Sequence, residues 1–178
     1  MKIGLVLSGG GARGLAHIGI LKGLGEMGIR PDVISGASSG ALVGALFAAG
    51  YTPEEILDLI KEHTPSNVIL MAFNGFLSAS GLLRILESAI PKNSFESLQI
   101  PLFVTATDIN AGNAVAFREG PLRQLLVASS SIPGLFSPVK HGDRYLVDGG
   151  VADNLPARCI RQVNYQQHHR RRGSDRHV

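Results

Sequence analysis

Thirteen of the chain's 22 glycines lie within its first 50 residues. Glycine loses more backbone freedom on folding than any other residue, so such a cluster marks turns and close backbone approaches. The cluster forms two blocks, each fed by a short apolar run. Lys2 to Ser8 empties into Ser8-Gly9-Gly10-Gly11-Ala12-Arg13-Gly14, and Asp32 to Ser35 runs straight into Gly36-Ala37-Ser38-Ser39-Gly40. A helical stretch follows each block, from about Gly14 to Met27 and then up to Gly50. Strand, glycine loop and helix in succession is the pattern of a sheet covered by helices, an α/β fold. The 178 residues, 44% of them apolar, suffice for one core.

The first strand reads as buried on both faces because its apolar residues are nearly continuous. Ile20, Leu21, Leu24 and Met27 recur on one face of the first helix, and Gly28 suits its stop. Thr52-Pro53-Glu54-Glu55 is a capping box with proline at the first helical position, opening a helix to about Glu62. Gly81 to Ile90 reads as a helix and Pro101 to Asp108 as a strand. Asn110 to Asn113 turns into a partner strand, Ala114 to Arg118. Leu122 to Ser129 is helical, Ser130 to Pro138 a loop, and Arg144 to Val147 a short strand ending at Asp148-Gly149-Gly150. The apolar runs within Thr64 to Ser78 suit either core or a mobile cover over a site, such as a lipid-facing flap.

No window approaches the roughly 18 consecutive apolar residues of a membrane span, and the start of the chain lacks a secretory pattern, so the expected location is cytoplasmic. Cys159 is the single cysteine. It excludes an internal disulfide and a thiolate metal cluster. Basic and acidic residues balance over residues 1–162, so the net charge of +3 arises in 163–178, where Arg170, Arg171, Arg172 and Arg176 face only Asp175. One short basic tail without interleaved aromatics gives no nucleic-acid footprint. The tail has no apolar period and is expected to be disordered. The globular domain is therefore expected over residues 1–162.

Gly36-Ala37-Ser38-Ser39-Gly40 matches the G-x-S-x-G nucleophile elbow, with a strand before it and an alanine-rich helix after it. The alternative reading is that Ser38 or Ser39 merely caps the following helix. Gly9, Gly11 and Gly14 also satisfy G-x-G-x-x-G, a dinucleotide loop, but Asp32 stands at the wrong end of the second strand for the acidic ribose contact. The same loop suits an oxyanion hole, with consecutive glycine N–H groups aimed at a developing negative oxygen. Two bases compete for Ser38. His141 with Asp108 keeps the chain order Ser, Asp, His of a hydrolase triad. Asp148, at the end of a strand, could take the proton directly once burial raises its pKa. His17, among apolar neighbours, reads as structural.

Gly9-Gly10-Gly11-Ala12-Arg13-Gly14, Gly36-Ala37-Ser38-Ser39-Gly40 and Asp148-Gly149-Gly150 occur in one register. Ala16-His17-Ile18-Gly19, Gly40 to Leu46 and Ser129-Ser130-Ser131-Ile132-Pro133 accompany them, and together they resemble the bacterial patatin-like phospholipases over residues 1 to about 160. The resemblance implies a three-layer α/β/α fold around a mixed, mostly parallel sheet. It implies a serine acyl hydrolase with Ser38 as nucleophile and Asp148 as base, acting on lipid esters such as phospholipids or acylglycerols. Transient contact with the inner membrane surface follows from such substrates. No metal or other cofactor is implied. Gly9, Gly10 and Gly11 would supply oxyanion N–H groups, with Ala12 and Gly14 completing the loop and Arg13 positioning it or meeting an anionic head group. Gly36, Gly40, Gly149 and Gly150 would support the motifs. Serine at position 39 departs from the small apolar residue usual there. The tail departs further, since family members continue into another apolar strand and helix, and it reads as a truncated or frame-shifted end.

Overall fold

A computed structural model describes residues 2–63 and 79–161 of the chain. The Thr64 to Ser78 cover and the 163–178 tail lie outside the described residues. Strand β1 (Gly4–Leu7) leads through a 3-10 turn, Gly11–Gly14, into α1 (Leu15–Glu26), and β2 (Val33–Ala37) leads into α2 (Ser39–Ala49). Helices α3 (Pro53–His63) and α4 (Ala79–Ala89) precede the hairpin of β3 (Leu102–Asp108) and β4 (Asn113–Phe117). Helix α5 (Leu122–Ser129), β5 (Val139–His141), β6 (Arg144–Asp148) and a 3-10 turn, Gly149–Val151, complete the order.

The sheet is mixed, parallel from β1 through β2 to β3 and antiparallel where β4, β6 and β5 join. Its register decides where the site forms. Val104 and Thr105 pair with β2 and β4 at once, so those strands lie on opposite edges of β3. Ala106 to Asp108 pair with β4 and β6 at once, which puts β6 on the same edge as β2. Along that edge β2 ends at Ala37, opposite Thr105, while β6 arrives from the other direction and ends at Asp148, opposite Ala106. The two strands therefore abut end to end, with Ser38 and Asp148 at the junction.

Helix α2 packs on β1, β2 and β3, and α5 packs on β3, β5 and β6, with the two helices in contact. Leu7, Ile34, Val104, Leu126 and Leu146 form the buried centre of this core. Side chains alternate faces along a strand, so Ser35 points away from α2. Its Oγ donates to the Pro156 carbonyl oxygen (2.8 Å), while Ile160 packs over Gly4. Residues 156–160 thus cover the opposite face, giving the α/β/α layering. The capping box forms as read: Thr52 N–H donates to Glu55 Oε2 (2.8 Å) and Glu55 N–H to Thr52 Oγ1 (3.2 Å).

Two sequence expectations change, and one strand is added. Strand β1 is an edge strand among the described residues, with Gly4 exposed and only Leu7 fully buried, whereas β2 is buried throughout. On α1 the buried residues are Ile18 and Leu21, while Ile20 and Met27 are 50% and 66% exposed. The tract after Pro138 forms β5, paired with β6 across the turn at Gly142.

Candidate active site

Ser38 has φ 52°, the only positive φ at a non-glycine residue among the described residues. A positive φ at such a residue persists only where surrounding structure enforces it, and such positions cluster at functional sites. The enforcement here is packing. A Cβ on Gly40 would collide with the carbonyl oxygens of Leu7 and Ser8, and one on Gly36 would lie 2.6 Å from the Ala41 nitrogen. These close approaches seat α2 on β1 and β2 and leave Ser38 at the crest of a sharp strand-to-helix turn. The Ser38 carbonyl accepts from the Ala41 and Leu42 N–H groups (2.9 and 3.1 Å), and its own N–H donates to Ser129 Oγ (2.9 Å). Its hydroxyl caps nothing in α2.

That hydroxyl donates instead to Asp148 Oδ2 at 2.6 Å. Asp148 is nearly fully buried. Its Oδ1 accepts from Gly150 N–H (2.7 Å), its own N–H donates to the Ser131 carbonyl (2.8 Å), and its carbonyl accepts from Thr107 Oγ1 (2.8 Å). Gly149 is wedged against β3, where a Cβ would strike the Thr105 carbonyl. Burial is the main influence on the Asp148 carboxyl and raises its pKa, because a charge there is poorly solvated. The hydrogen bonds from Ser38 and Gly150 oppose it in part.

The glycine loop lies beside this pair, with one change from expectation. Gly9 N–H donates to the Asn154 carbonyl (3.1 Å) and the Gly9 carbonyl accepts from Asn154 Nδ2 (3.3 Å). Gly9 therefore clamps the loop to the segment after Asp148, and its N–H is not free to meet an oxyanion. Gly10 and Gly11 stand at the head of the 3-10 turn, where N–H groups have no acceptor within the turn. Ala12 is half-buried, Arg13 is exposed, and Gly14 is buried so tightly against Ser39 that a Cβ there would lie 2.5 Å from Ser39 Cβ. His17 Nε2 donates to the Ser8 carbonyl (2.8 Å), a structural bond at the root of the loop.

The rival arrangements do not assemble. His141 packs edge-on against Phe117, with ring centroids 5.4 Å apart. Asp108 accepts from the N–H groups of Asn110 and Ala111 and lies 3.6 Å from Arg144. Asp32, at the amino end of β2, accepts from Ile3 N–H (2.7 Å), at the end of the strand remote from the glycine loop. Sequence reasoning missed the parts played by Ser129 and Asn154. A serine closing the buried apolar run Leu125 to Ala128, and an asparagine shortly after Asp148-Gly149-Gly150, were the available signals.

The fold and site define an α/β protein in which a strained serine elbow faces a buried carboxylate beside a glycine loop. The chain belongs to the patatin-like phospholipase family, whose model matches residues 5–159. An uncharacterized NTE family protein of Mycobacterium tuberculosis is 40% identical over 169 residues, covering 92% of this chain and 46% of the relative. The patatin-like phospholipase domain-containing protein 7 of Rattus norvegicus is 34% identical over 172 residues, 90% of this chain and 13% of that protein. This chain thus spans under half the length of these relatives. Among solved structures, VipD from Legionella pneumophila shares the fold, with a TM-score of 0.65 at 19% identity over 87% of this chain and 47% of that one. No helix among the described residues is long and apolar enough to cross a membrane.

Proposed function

We propose that this protein is a serine acyl hydrolase that cleaves ester bonds of lipids, phospholipids or acylglycerols, through an acyl-Ser38 intermediate. The observation that carries the reading is the 2.6 Å hydrogen bond from Ser38 Oγ to Asp148 Oδ2 at a strained elbow. Family membership supports the substrate class. As Ser38 Oγ attacks the ester carbonyl carbon, its proton passes to Asp148, and the carbonyl oxygen becomes an oxyanion. The N–H groups of Gly10 and Gly11, with that of Ser39 at the head of α2, are the donors proposed to receive it. Collapse breaks the bond to the leaving alcohol, which takes the proton from Asp148. Asp148 then takes a proton from water as the water oxygen attacks the acyl-Ser38 carbonyl, and the fatty acid leaves as Ser38 recovers its proton. Charge in this cycle is carried by Ser38, Asp148 and backbone N–H groups, so it draws on no cofactor. Because such esters reside in bilayers, turnover brings the protein transiently to a membrane surface.

Intact-mass analysis after treatment with a fluorophosphonate is the test. One adduct per chain is expected, and none on Ser38→Ala. An unlabelled but folded chain would overturn the hydrolase reading and leave a lipid- or partner-binding fold without activity.

A further inference from the structure

The end of α5 touches both members of the Ser38–Asp148 pair through their backbones. Ser129 Oγ accepts from Ser38 N–H (2.9 Å) and donates to the Thr105 carbonyl (2.6 Å), so one hydroxyl ties the nucleophile's amide to the central strand. Two residues on, the Ser131 carbonyl accepts from Asp148 N–H (2.8 Å). Ser131 is held in turn, because its Oγ donates to the Val127 carbonyl (2.8 Å). Ser129 and Ser131 are 0% and 1% exposed, so water has no access to replace these bonds. Ser38 and Asp148 lie 110 residues apart, at the ends of two strands that do not pair with one another. Besides their own side-chain bond and the shared pairing of β2 and β6 with β3, the short tract Ser129–Ser131 touches both of them directly.

We propose that Ser129–Ser131 is a bracket that sets the Ser38–Asp148 separation, with Ser129 as a positioning residue for the proposed acyl transfer. Ser129 touches no reacting atom. It satisfies a buried N–H that, at the N-cap of α2, has no acceptor within the helix, and it fixes that N–H relative to β3. An orphaned N–H would relax toward another acceptor, and the elbow would turn with it. The Ser38 to Asp148 bond would then lengthen. This inference rests on the hydrolase reading for its kinetic consequences, though not for its geometric ones.

The test compares Ser129→Ala and Ser129→Thr, which keeps the hydroxyl, with Ile56→Ala. Ile56 is a fully buried residue of α3 remote from the site and serves as a control for lost stability. With a dispersed short-chain aryl ester well below the melting temperature, Ser129→Ala is expected to lower kcat at least tenfold and leave KM within twofold. Ser129→Thr should recover most of that loss, and Ile56→Ala should keep kcat. A second readout needs no turnover: titration of the Asp148 carboxyl by NMR. Burial opposes ionisation of the carboxyl, and the hydrogen bonds from Ser38 and Gly150 favour it. A longer bond in Ser129→Ala must therefore move the Asp148 titration upward, whereas lost stability alone would not. If Ser129→Ala does not fold, Ser129→Cys takes its place. Unchanged kcat with an unchanged Asp148 titration would overturn the bracket, as would equal losses of kcat in Ser129→Ala and Ile56→Ala. Absence of turnover in the unsubstituted protein would defeat the hydrolase reading and leave the titration to judge the bracket.

Discussion

Asp148→Asn is expected to lower turnover by about 10²–10⁴-fold, the usual contribution of a positioned general base. The amide keeps the shape of the carboxylate, and with its oxygen accepting from Gly150 N–H its NH2 can donate to Ser38 Oγ, so the elbow should fold as before. What it loses is the capacity to take the proton. The pH profile of the unsubstituted protein gives an independent check. Asp148 must be ionised to act, and burial holds its pKa above the ordinary carboxylate range. The rate should therefore fall as pH drops through that raised value, with an acid limb displaced upward from where an exposed aspartate would put it. His141→Ala should keep turnover within about twofold, because that ring packs on Phe117 rather than on Ser38. An inactive His141→Ala beside an active Asp148→Asn would replace the proposed pair with a triad.

The second large effect concerns Gly40. A methyl group there has no room, since the atoms it would meet are the backbone carbonyls of Leu7 and Ser8 rather than the end of a movable side chain. Gly40→Ala is expected to destabilise by about 3 kcal/mol or more, at the upper end of overpacking costs. For a chain of this size that lowers Tm by roughly 6–12 °C. Activity should fall further than stability alone explains, because the displaced carbonyls lead directly into the Gly9 to Gly14 loop. Gly19→Ala is the matched contrast. Nothing lies within 4 Å of a Cβ there, on an exposed turn of α1. That substitution should stabilise by about 0.5–1 kcal/mol through lost chain entropy. Calorimetry on the two variants distinguishes a glycine required by contact from one that is merely tolerated.

Local rules carried the sequence reading a long way. The order of strands and helices, the hairpin at Asn110 to Asn113, the capping box at Thr52 and the elbow at Ser38 each depend on residues within a few positions of one another, and each formed. The misreadings share a cause. Whether an apolar run is a central or an edge strand depends on which strands flank it, so β1 and β2 looked alike in sequence and differ in burial. On α1 the glycines at 19, 23 and 25 thin the apolar pattern, and the face toward Ile18 and Leu21 was set by where the helix docks. Gly9 illustrates the limit at the site. Three consecutive glycines suggest three equivalent donors, yet the carbonyl of Asn154, 145 residues away, takes the first. Ser129 is likewise legible as part of a motif but acquires its role only where α5 ends against β2 and β3.

The abutment of β2 and β6 along one edge of β3 also bears on how the chain acquires its site during folding. Closing so long a loop before its contacts repay the lost entropy is characteristically slow. The β1-α1-β2-α2 unit can form early from neighbouring segments, and it contains the elbow and the glycine loop. It lacks the carboxylate, which arrives only when the last described strand reaches the position next to Ala37. Any state in which that unit had formed ahead of the β3–β6 pairing would hold a serine turn without its base, harmless to any ester nearby. Competence requires that long-range pairing, so reactivity is tied to tertiary assembly rather than to the elbow alone.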